Sequence, residues 1–247
     1  MKLELWEKDM ILFMRRASEY TDYYRRLTEK MLPWLPKDTH ICDAGSGLGY
    51  LSLELSPHVG KITAVERNPD AAAVLTENCG RLGISNVTSR CGAIAQVPPE
   101  TPYDAMVFCF FGGLEEILRL AKKQCRGDVF VFTRNYATHR FSAGTHLTGY
   151  AGYPQFTAAL EKLGIPAHRE SFLLEFGQPF QNPEEAHRFF TLYSKDPSKA
   201  VLTPSFIRSQ LIQTGREDYP FYLPHQKHIG FLHFSVKDIP DAVLEGA

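Results

Sequence analysis

Residues 40–49, His-Ile-Cys-Asp-Ala-Gly-Ser-Gly-Leu-Gly, decide the fold of this chain. A short apolar run ends at Asp43, three alternating glycines follow, and spaced leucines from Leu51 to Leu55 continue into a segment that can be helical. The pattern predicts a strand, a glycine turn and a helix, because glycine adopts positive φ angles and lets the backbone approach a ligand without a Cβ in the way. The carboxylate at the strand end suits a cationic or polyhydroxyl ligand and would repel a pyrophosphate.

The spacing of the glycines separates this turn from two phosphate-binding loops. A dinucleotide site requires Gly-x-Gly-x-x-Gly with phosphate at the helix N-terminus, and a phosphate loop ends in Gly-Lys-Ser/Thr. This chain instead reads Asp43-x-Gly45-x-Gly47-x-Gly49, which resembles motif I of the class I methyltransferases that use S-adenosylmethionine. The alternative is an ordinary glycine-rich turn of an α/β domain.

A second acid follows the glycine turn, 23 positions after Asp43. Residues 61–66 form an apolar, β-branched run that predicts a second strand ending in Glu66, and Asn68 with Pro69 predicts the start of a helix. An acid about 20 residues beyond the first glycine turn is placed to accept hydrogen bonds from both ribose hydroxyls. The resemblance implies this role for Glu66, with a solvated charge at a strand end as the alternative.

The resemblance implies a cofactor site along the ends of the strands. Its candidate residues are Asp43, Gly45, Ser46, Gly47, Gly49, Glu66, Arg67, Gly92, Ala93, Phe110 and Phe111. The family often has Gly-Asp-Ala after the third strand, where the acid meets the adenine amino group. This chain has Gly92-Ala93-Ile94 there, so backbone groups of Ala93 or Ile94 would have to contact the adenine.

The segment after the fourth strand also departs from a family pattern. Methyltransferases that act on exocyclic or amide nitrogens often carry Asn/Asp-Pro-Pro-Tyr there, whereas this chain reads Cys109-Phe110-Phe111-Gly112. This difference argues against methylation of adenine N6 or a glutamine amide. The aromatic pair predicts an apolar or cationic acceptor, and a ring can face a sulfonium by a cation–π attraction of about 0.5–2 kcal/mol. Packing of both rings beneath a helix is the alternative.

Strands and helices alternate along the chain, as βαβ units require. We predict strands at about 40–44, 61–66, 87–91, 103–110, 129–133, 168–176 and 228–236. The order resembles the class I methyltransferase fold, which implies an α/β protein with a Rossmann-like, seven-stranded, mostly parallel sheet and helices on both faces, plus an N-terminal helix and a helical insertion before the last strand. We expect an N-terminal helical lid over 1–36 and an S-adenosylmethionine-binding methyltransferase domain over 37–247, with the insertion at about 182–213.

The acceptor side is predicted from aromatic and histidine residues outside the motif. Tyr20, Tyr23 and Tyr24 recur at helical spacing before the first strand. We expect this helix, with the insertion, to cover the point of methyl transfer; packing of the tyrosines in the core is the alternative. Tyr136 and His139 complete the candidate acceptor residues, and no catalytic base is assigned.

Composition favours a cytoplasmic enzyme. The 247 residues are 44% hydrophobic, and a net charge of −1 gives no electrostatic support for a nucleic-acid partner. No apolar run approaches the roughly 20 residues of a membrane span, and no signal peptide is evident. The five scattered cysteines are expected to be buried, reduced thiols. His225 and His228 lack a third ligand at suitable spacing, so no metal site is predicted.

The predicted function is transfer of a methyl group from S-adenosylmethionine to a small-molecule acceptor. Such a transfer mainly requires donor and acceptor to be held in near-attack geometry, with a base only where the acceptor carries a proton to remove. The alternatives are an RNA or protein methyltransferase, which would usually add a basic surface or a separate binding domain, and a non-catalytic relative that binds the same cofactor.

Overall fold

The computed structural model of the protein describes residues 8–136, 151–194 and 202–244. The strands in these ranges are β1 (His40–Ala44), β2 (Lys61–Glu66), β3 (Val87–Cys91), β4 (Tyr103–Cys109), β5 (Cys125–Arg134), β6 (His168–Glu175), β7 (Gln178–Phe180), β8 (Ile212–Gln213), β9 (Phe221–Leu223) and β10 (Gln226–Ser235). The α-helices are α1 (Lys8–Tyr20), α2 (Tyr23–Met31), α3 (Tyr50–Leu55), α4 (Pro69–Leu82), α5 (Leu114–Gln124), α6 (Tyr153–Lys162), α7 (Pro183–Tyr193) and α8 (Pro204–Gln210).

Seven strands form the central sheet, in the order β3-β2-β1-β4-β5-β10-β6. All are parallel except β10, which runs antiparallel to both of its neighbours. The predicted α/β fold with a mostly parallel, seven-stranded sheet is therefore confirmed. The chain reverses its direction of progress across the sheet between β1 and β4, and open α/β sheets bind ligands at the carboxyl ends of the strands beside such a point.

Helices cover both faces of this sheet because its central strands are apolar on both sides. In β1 the alternating residues Ile41 and Cys42 belong to different core clusters. One cluster includes residues of α5 and α6, and the other includes residues of α2 and α3. In β4 the run Ala105–Phe108 is buried throughout, as in strands covered on both faces.

The helix boundaries follow local signals in the sequence. The Asn68 side chain accepts a hydrogen bond from Ala71 N at 3.0 Å, and Gly83 ends α4 in the left-handed conformation. Asn182 caps α7 in the same way, accepting from Glu185 N at 2.9 Å. These side chains satisfy backbone N–H groups that have no partner within the helix.

The N-terminal segment forms two helices, so the prediction of one continuous helix is wrong. α1 ends at Tyr20 and α2 begins at Tyr23. Between them the Thr21 hydroxyl donates to the carbonyl of Ala17 at 2.8 Å, while Asp22 leaves the helical conformation. The break separates Tyr20 from Tyr23 and Tyr24, so the three side chains do not share one helix face.

A second, three-stranded sheet in the order β7-β9-β8 was not predicted. It lies in the insertion before β10, where α8 ends at Gln210 and Ile212 pairs with Tyr222. α1 packs on this sheet and on α7, with the ring centroids of Phe13 and Phe189 5.3 Å apart. Strands of two or three residues are too short to show the alternation that identifies a strand.

The expected state of the cysteines can be compared with the structure. All five cysteines are free thiols; Cys42 and Cys125 are buried, but Cys91 is exposed, which corrects the expectation of burial for that residue. Within the described ranges, no three His, Cys, Asp or Glu side chains are grouped as a metal site. None of the helices in those ranges is long and apolar enough to span a membrane.

Candidate functional site

The glycine turn joins β1 to α3 through a backbone that requires glycine. Gly45, Gly47 and Gly49 have φ angles of +73°, +55° and +78°, in the left-handed region that side chains disfavour. The backbone N–H groups of Gly45 and Ser46 both donate to the carbonyl of Val65, at 2.8 and 3.0 Å. These hydrogen bonds hold the turn against the end of β2.

Glu66 lies at that strand end, and its carboxylate faces the turn. The side chain is 8% exposed. One oxygen accepts from Gly47 N at 3.0 Å and the other from Asn68 N at 2.9 Å. Because a carboxylate oxygen can accept more than one hydrogen bond, Glu66 keeps acceptor capacity for a hydroxylated ligand.

Asp43 lies at the end of β1 and is 1% exposed. Its Oδ2 accepts from the Ser52 hydroxyl at 2.7 Å, whereas Oδ1 has no hydrogen-bond partner in the part of the chain that the structure describes. Burial raises the pKa of Asp43 to about 6, the Ser52 hydrogen bond opposes this shift, and the negative charge of Glu66 adds to it. A buried carboxylate oxygen without a partner favours a cationic group beside it.

The turn after β3 lies beside Glu66. Gly92 N donates to the Glu66 carbonyl at 2.9 Å, and Ala93 precedes a short 3₁₀ turn at Ile94–Gln96. Arg67 is exposed, and its carbonyl accepts a hydrogen bond from the Cys91 thiol, with 3.8 Å between sulfur and oxygen. We call the set of Asp43, the turn at 45–49, Glu66, Gly92 and Ala93 the cofactor side of the site.

The aromatic pair after β4 lies between this side and a pocket. Phe110 has a φ of +55°, and its N–H donates to the carbonyl of Phe132 at 2.8 Å. A positive φ in an aromatic residue is strained, and such strain concentrates at functional sites. Phe111 packs on the glycine turn, where a Cβ at Gly45 would lie 2.6 Å from its ring. The position of Phe111 therefore agrees with both interpretations of the sequence, because its ring is packed and also lies beside the glycine turn.

A pocket of about 160 Å³ lies at the same end of the sheet. We call it the acceptor pocket; its lining comes from α1, the end of β5, β7, α7 and the start of β10: Met14, Ala17, Tyr136, Phe176, Gln178, Phe189, Tyr193, His225 and Lys227. Of the predicted acceptor residues, only Tyr136 lines it. His139 lies outside the described residues.

Lys227 is a feature of this pocket that was not predicted. Its Nζ lies 3.8 Å from the ring centroid of Phe110 and 5.2 Å from those of Tyr23 and Phe176. Burial lowers the pKa of Lys227 to about 8; the neighbouring Cys109 thiol opposes the shift and the positive charge of Arg134 adds to it. A lysine just before the apolar run from Ile229 to Leu232 was the available signal.

The three predicted tyrosines reach different places. Tyr20 stacks on Tyr222 of the second sheet, with 5.0 Å between ring centroids. Tyr23 is buried beside Phe176, 4.2 Å between centroids. Tyr24 stacks at 5.9 Å on Tyr50, the first residue of α3, and so lies beside the glycine turn.

α1 connects the cofactor side to the insertion. Glu19 accepts a hydrogen bond from the Tyr50 hydroxyl at 2.8 Å. On the insertion side, Arg16 forms an ion pair with Glu185 of α7 at 2.7 Å, with side chains only 12% and 9% exposed. The N-terminal segment therefore contacts both regions that flank the sheet edge.

The same fold occurs in solved structures. The YcgJ protein of Bacillus subtilis matches with a TM-score of 0.57 and 14% identity, over 86% of this chain and 97% of that one. At this identity the likeness shows the fold alone. No protein-family model matches the chain.

Curated relatives are named as protein, ribosomal RNA and cobalt-precorrin methyltransferases. A 23S rRNA (uracil(1939)-C(5))-methyltransferase of Chromohalobacter salexigens is 30% identical over 62% of this chain and 33% of its own length. A probable cobalt-precorrin-6B C(15)-methyltransferase (decarboxylating) of Methanothermobacter thermautotrophicus is 33% identical over 41% of this chain and 55% of its own length. The chain spans between 31% and 55% of the length of the relatives it matches.

These relatives, the seven-stranded sheet and the glycine turn agree on one class. The resemblance to the class I S-adenosylmethionine-dependent methyltransferases that the motif predicted is confirmed by these relatives, and S-adenosylmethionine is the cofactor of that class.

Proposed function

We propose that this protein transfers the methyl group of S-adenosylmethionine to a small-molecule acceptor bound in the acceptor pocket. The observation that carries the proposal is the position of this pocket: Lys227 lines it, and the Nζ of Lys227 lies 3.8 Å from the ring centroid of Phe110, which follows β4. The cofactor, when bound, supplies an electrophilic methyl group on a sulfonium. The chain has to bind both partners, orient them and exclude water.

The residues of the cofactor side fit this cofactor. The unpartnered Oδ1 of Asp43 suits the ammonium of its methionine part, and the Glu66 carboxylate suits the ribose hydroxyls. Backbone groups at Ala93 and Ile94 are the candidates for the adenine. Arg67 is exposed and is the member of the predicted set with least support from its surroundings.

A small acceptor suits the pocket better than a macromolecule. Its 160 Å³ lies below the roughly 300–1,000 Å³ of pockets for drug-sized ligands. α1 and the insertion wall it, which supports a lid role for segment 1–36 together with residues 182–213. The net charge of −1 gives no surplus of positive charge for nucleic acid.

Some relatives are named as RNA or protein methyltransferases, so an RNA or a protein acceptor is the competing hypothesis. The test is conversion of S-adenosylmethionine to S-adenosylhomocysteine with the dialysable and retained fractions of a cell extract. We expect the dialysable fraction to support turnover that resists nuclease and protease and is absent in the Gly47→Val variant. Turnover supported only by the retained fraction, and destroyed by nuclease or protease, would overturn the proposal.

A further inference from the structure

Lys227 lines the acceptor pocket and belongs to β10, which is antiparallel to both of its neighbours in the central sheet. Ile229 of β10 pairs with Arg134, the last residue of β5, so Lys227 lies beyond the carboxyl end of β5. Its side chain therefore projects where the acceptor must meet the cofactor, and its Nζ lies over the ring of the strained Phe110.

The ammonium of Lys227 has no anionic partner in the ranges 8–136, 151–194 and 202–244. It is absent from the ion pairs and hydrogen bonds of those residues, and its contacts are the faces of Tyr23, Phe110 and Phe176. Ring faces offset only part of the cost of removing a cation from water. They leave its three N–H donors without acceptors, and burial of unsatisfied charged donors is costly.

A purely structural role does not require the charge. Methionine has a similar length, packs well against aromatic rings and needs no hydrogen-bond partner. The ammonium also changes the expectation for the acceptor. The face of Phe110 already holds a cation of the protein itself, so a cationic acceptor would meet a like charge there.

We propose that the acceptor is a small acid whose anionic group is bound by Lys227. This inference rests on the proposed function and names its substrate class. The walls of the pocket are largely aromatic, and an engineered cavity of about 150 Å³ in another protein holds benzene, so a monocyclic or short-chain carboxylate matches the pocket of 160 Å³. A charge-assisted hydrogen bond from the ammonium would then fix the orientation of the acid.

Binding to the protein saturated with S-adenosylhomocysteine tests the inference. The probes are benzoate and phenylacetate, with benzamide and phenylacetamide as neutral matches, measured by calorimetry. We expect the acids to bind in preference to the amides, and Lys227→Met to weaken acid binding about 10- to 100-fold, with part of the affinity kept in Lys227→Arg. Lys30→Met is the matched control, because Lys30 also lies over a ring, that of Phe172, but is paired with Glu170 outside the pocket.

Equal binding of acids and amides, no binding of any acid, or unchanged affinity in Lys227→Met would each overturn the inference. If Lys227→Met does not fold, the comparison of acids with amides on the unmodified protein decides alone. If an anion-exchange resin does not retain the dialysable acceptor, the acceptor is not an acid. This result would overturn the inference and leave the proposed function standing. Absence of any dialysable acceptor activity removes the proposed function, which separates the two failures.

Discussion

The cofactor side and the acceptor pocket meet at one edge of the sheet but are assembled from different kinds of contact. On the cofactor side, Asp43 and Glu66 lie 23 positions apart, and the backbone N–H of Gly47 in the turn between them donates a hydrogen bond to the Glu66 carboxylate. In the acceptor pocket, Tyr136, Gln178 and Lys227 come from distant segments that approach only through tertiary packing. The first region is therefore specified by a local motif, and the second depends on how α1 and the insertion pack on the sheet.

The largest effect should follow a change in the glycine turn. Gly47→Val places a branched side chain at a φ of +55°, where Gly47 N contacts Glu66. We expect S-adenosylhomocysteine affinity to fall by at least on the order of 100-fold, because strain and the lost backbone geometry add. Calorimetric titration measures it.

Gly83→Val is the matched control for strain. Gly83 has a φ of +66° at the end of α4, and a Cβ there meets nothing within 4 Å. This variant should lose stability and keep its cofactor affinity. Equal loss of affinity in both variants would show that strain, and not the turn, explains the effect of Gly47→Val.

A somewhat smaller effect should follow a change of charge at Glu66. Glu66→Gln keeps the shape and one carbonyl acceptor but loses the carboxylate. We expect about 10- to 100-fold weaker binding of S-adenosylhomocysteine, the range for hydrogen bonds to a charged group. Glu77→Gln, an exposed carboxylate on α4, serves as the control. An unchanged dissociation constant in Glu66→Gln would remove the ribose role of Glu66.

The fold was predictable where local chemistry decides it. Asn68 and Gly83 mark both ends of α4 because one caps backbone N–H groups and the other adopts the left-handed angle. The turn at 43–49 was predictable in the same way, because its glycines adopt the positive φ angles that the turn requires. The positions of β1, β2 and β4 follow from apolar runs that are buried along most of their length.

The acceptor pocket was less predictable because its contacts join distant segments. The break after Tyr20 lies where Asp22 leaves the helical conformation, which no hydrophobic periodicity shows. The second sheet pairs strands of two or three residues. Lys227 became a candidate only once the register of β10 placed it beyond the end of β5.

An intermediate effect should follow loosening of α1 from the insertion. Arg16→Met removes the ion pair with the largely buried Glu185. We expect the free energy of unfolding to fall by about 1–2 kcal/mol, while cofactor affinity stays within about twofold because the pair joins α1 to α7 and includes no residue of the glycine turn. Arg25→Met removes an exposed ion pair with Asp22 at the start of α2. This control should lower the free energy of unfolding by less than about 0.5 kcal/mol. Equal losses in stability from both variants would contradict the coupling of α1 to the insertion.

The smallest effect should appear in the pH dependence of cofactor binding through Asp43. The pKa of Asp43 is raised by burial from 3.8 to about 6, so the folded protein without cofactor holds this proton more tightly than the unfolded chain does. Its contribution to folding stability is therefore complete below about pH 3.8 and is lost as pH rises through about 6. Binding of a cationic group instead requires the carboxylate, so S-adenosylhomocysteine affinity should fall about fourfold between about pH 7.5 and about pH 5.5.

The control variant is Asp43→Asn, whose side chain resembles the neutral form of Asp43. It should raise the free energy of unfolding at pH 7 and weaken S-adenosylhomocysteine binding at every pH, so its affinity should not change with pH. A fourfold fall with pH that persists in Asp43→Asn would assign the titration to another group on the cofactor side.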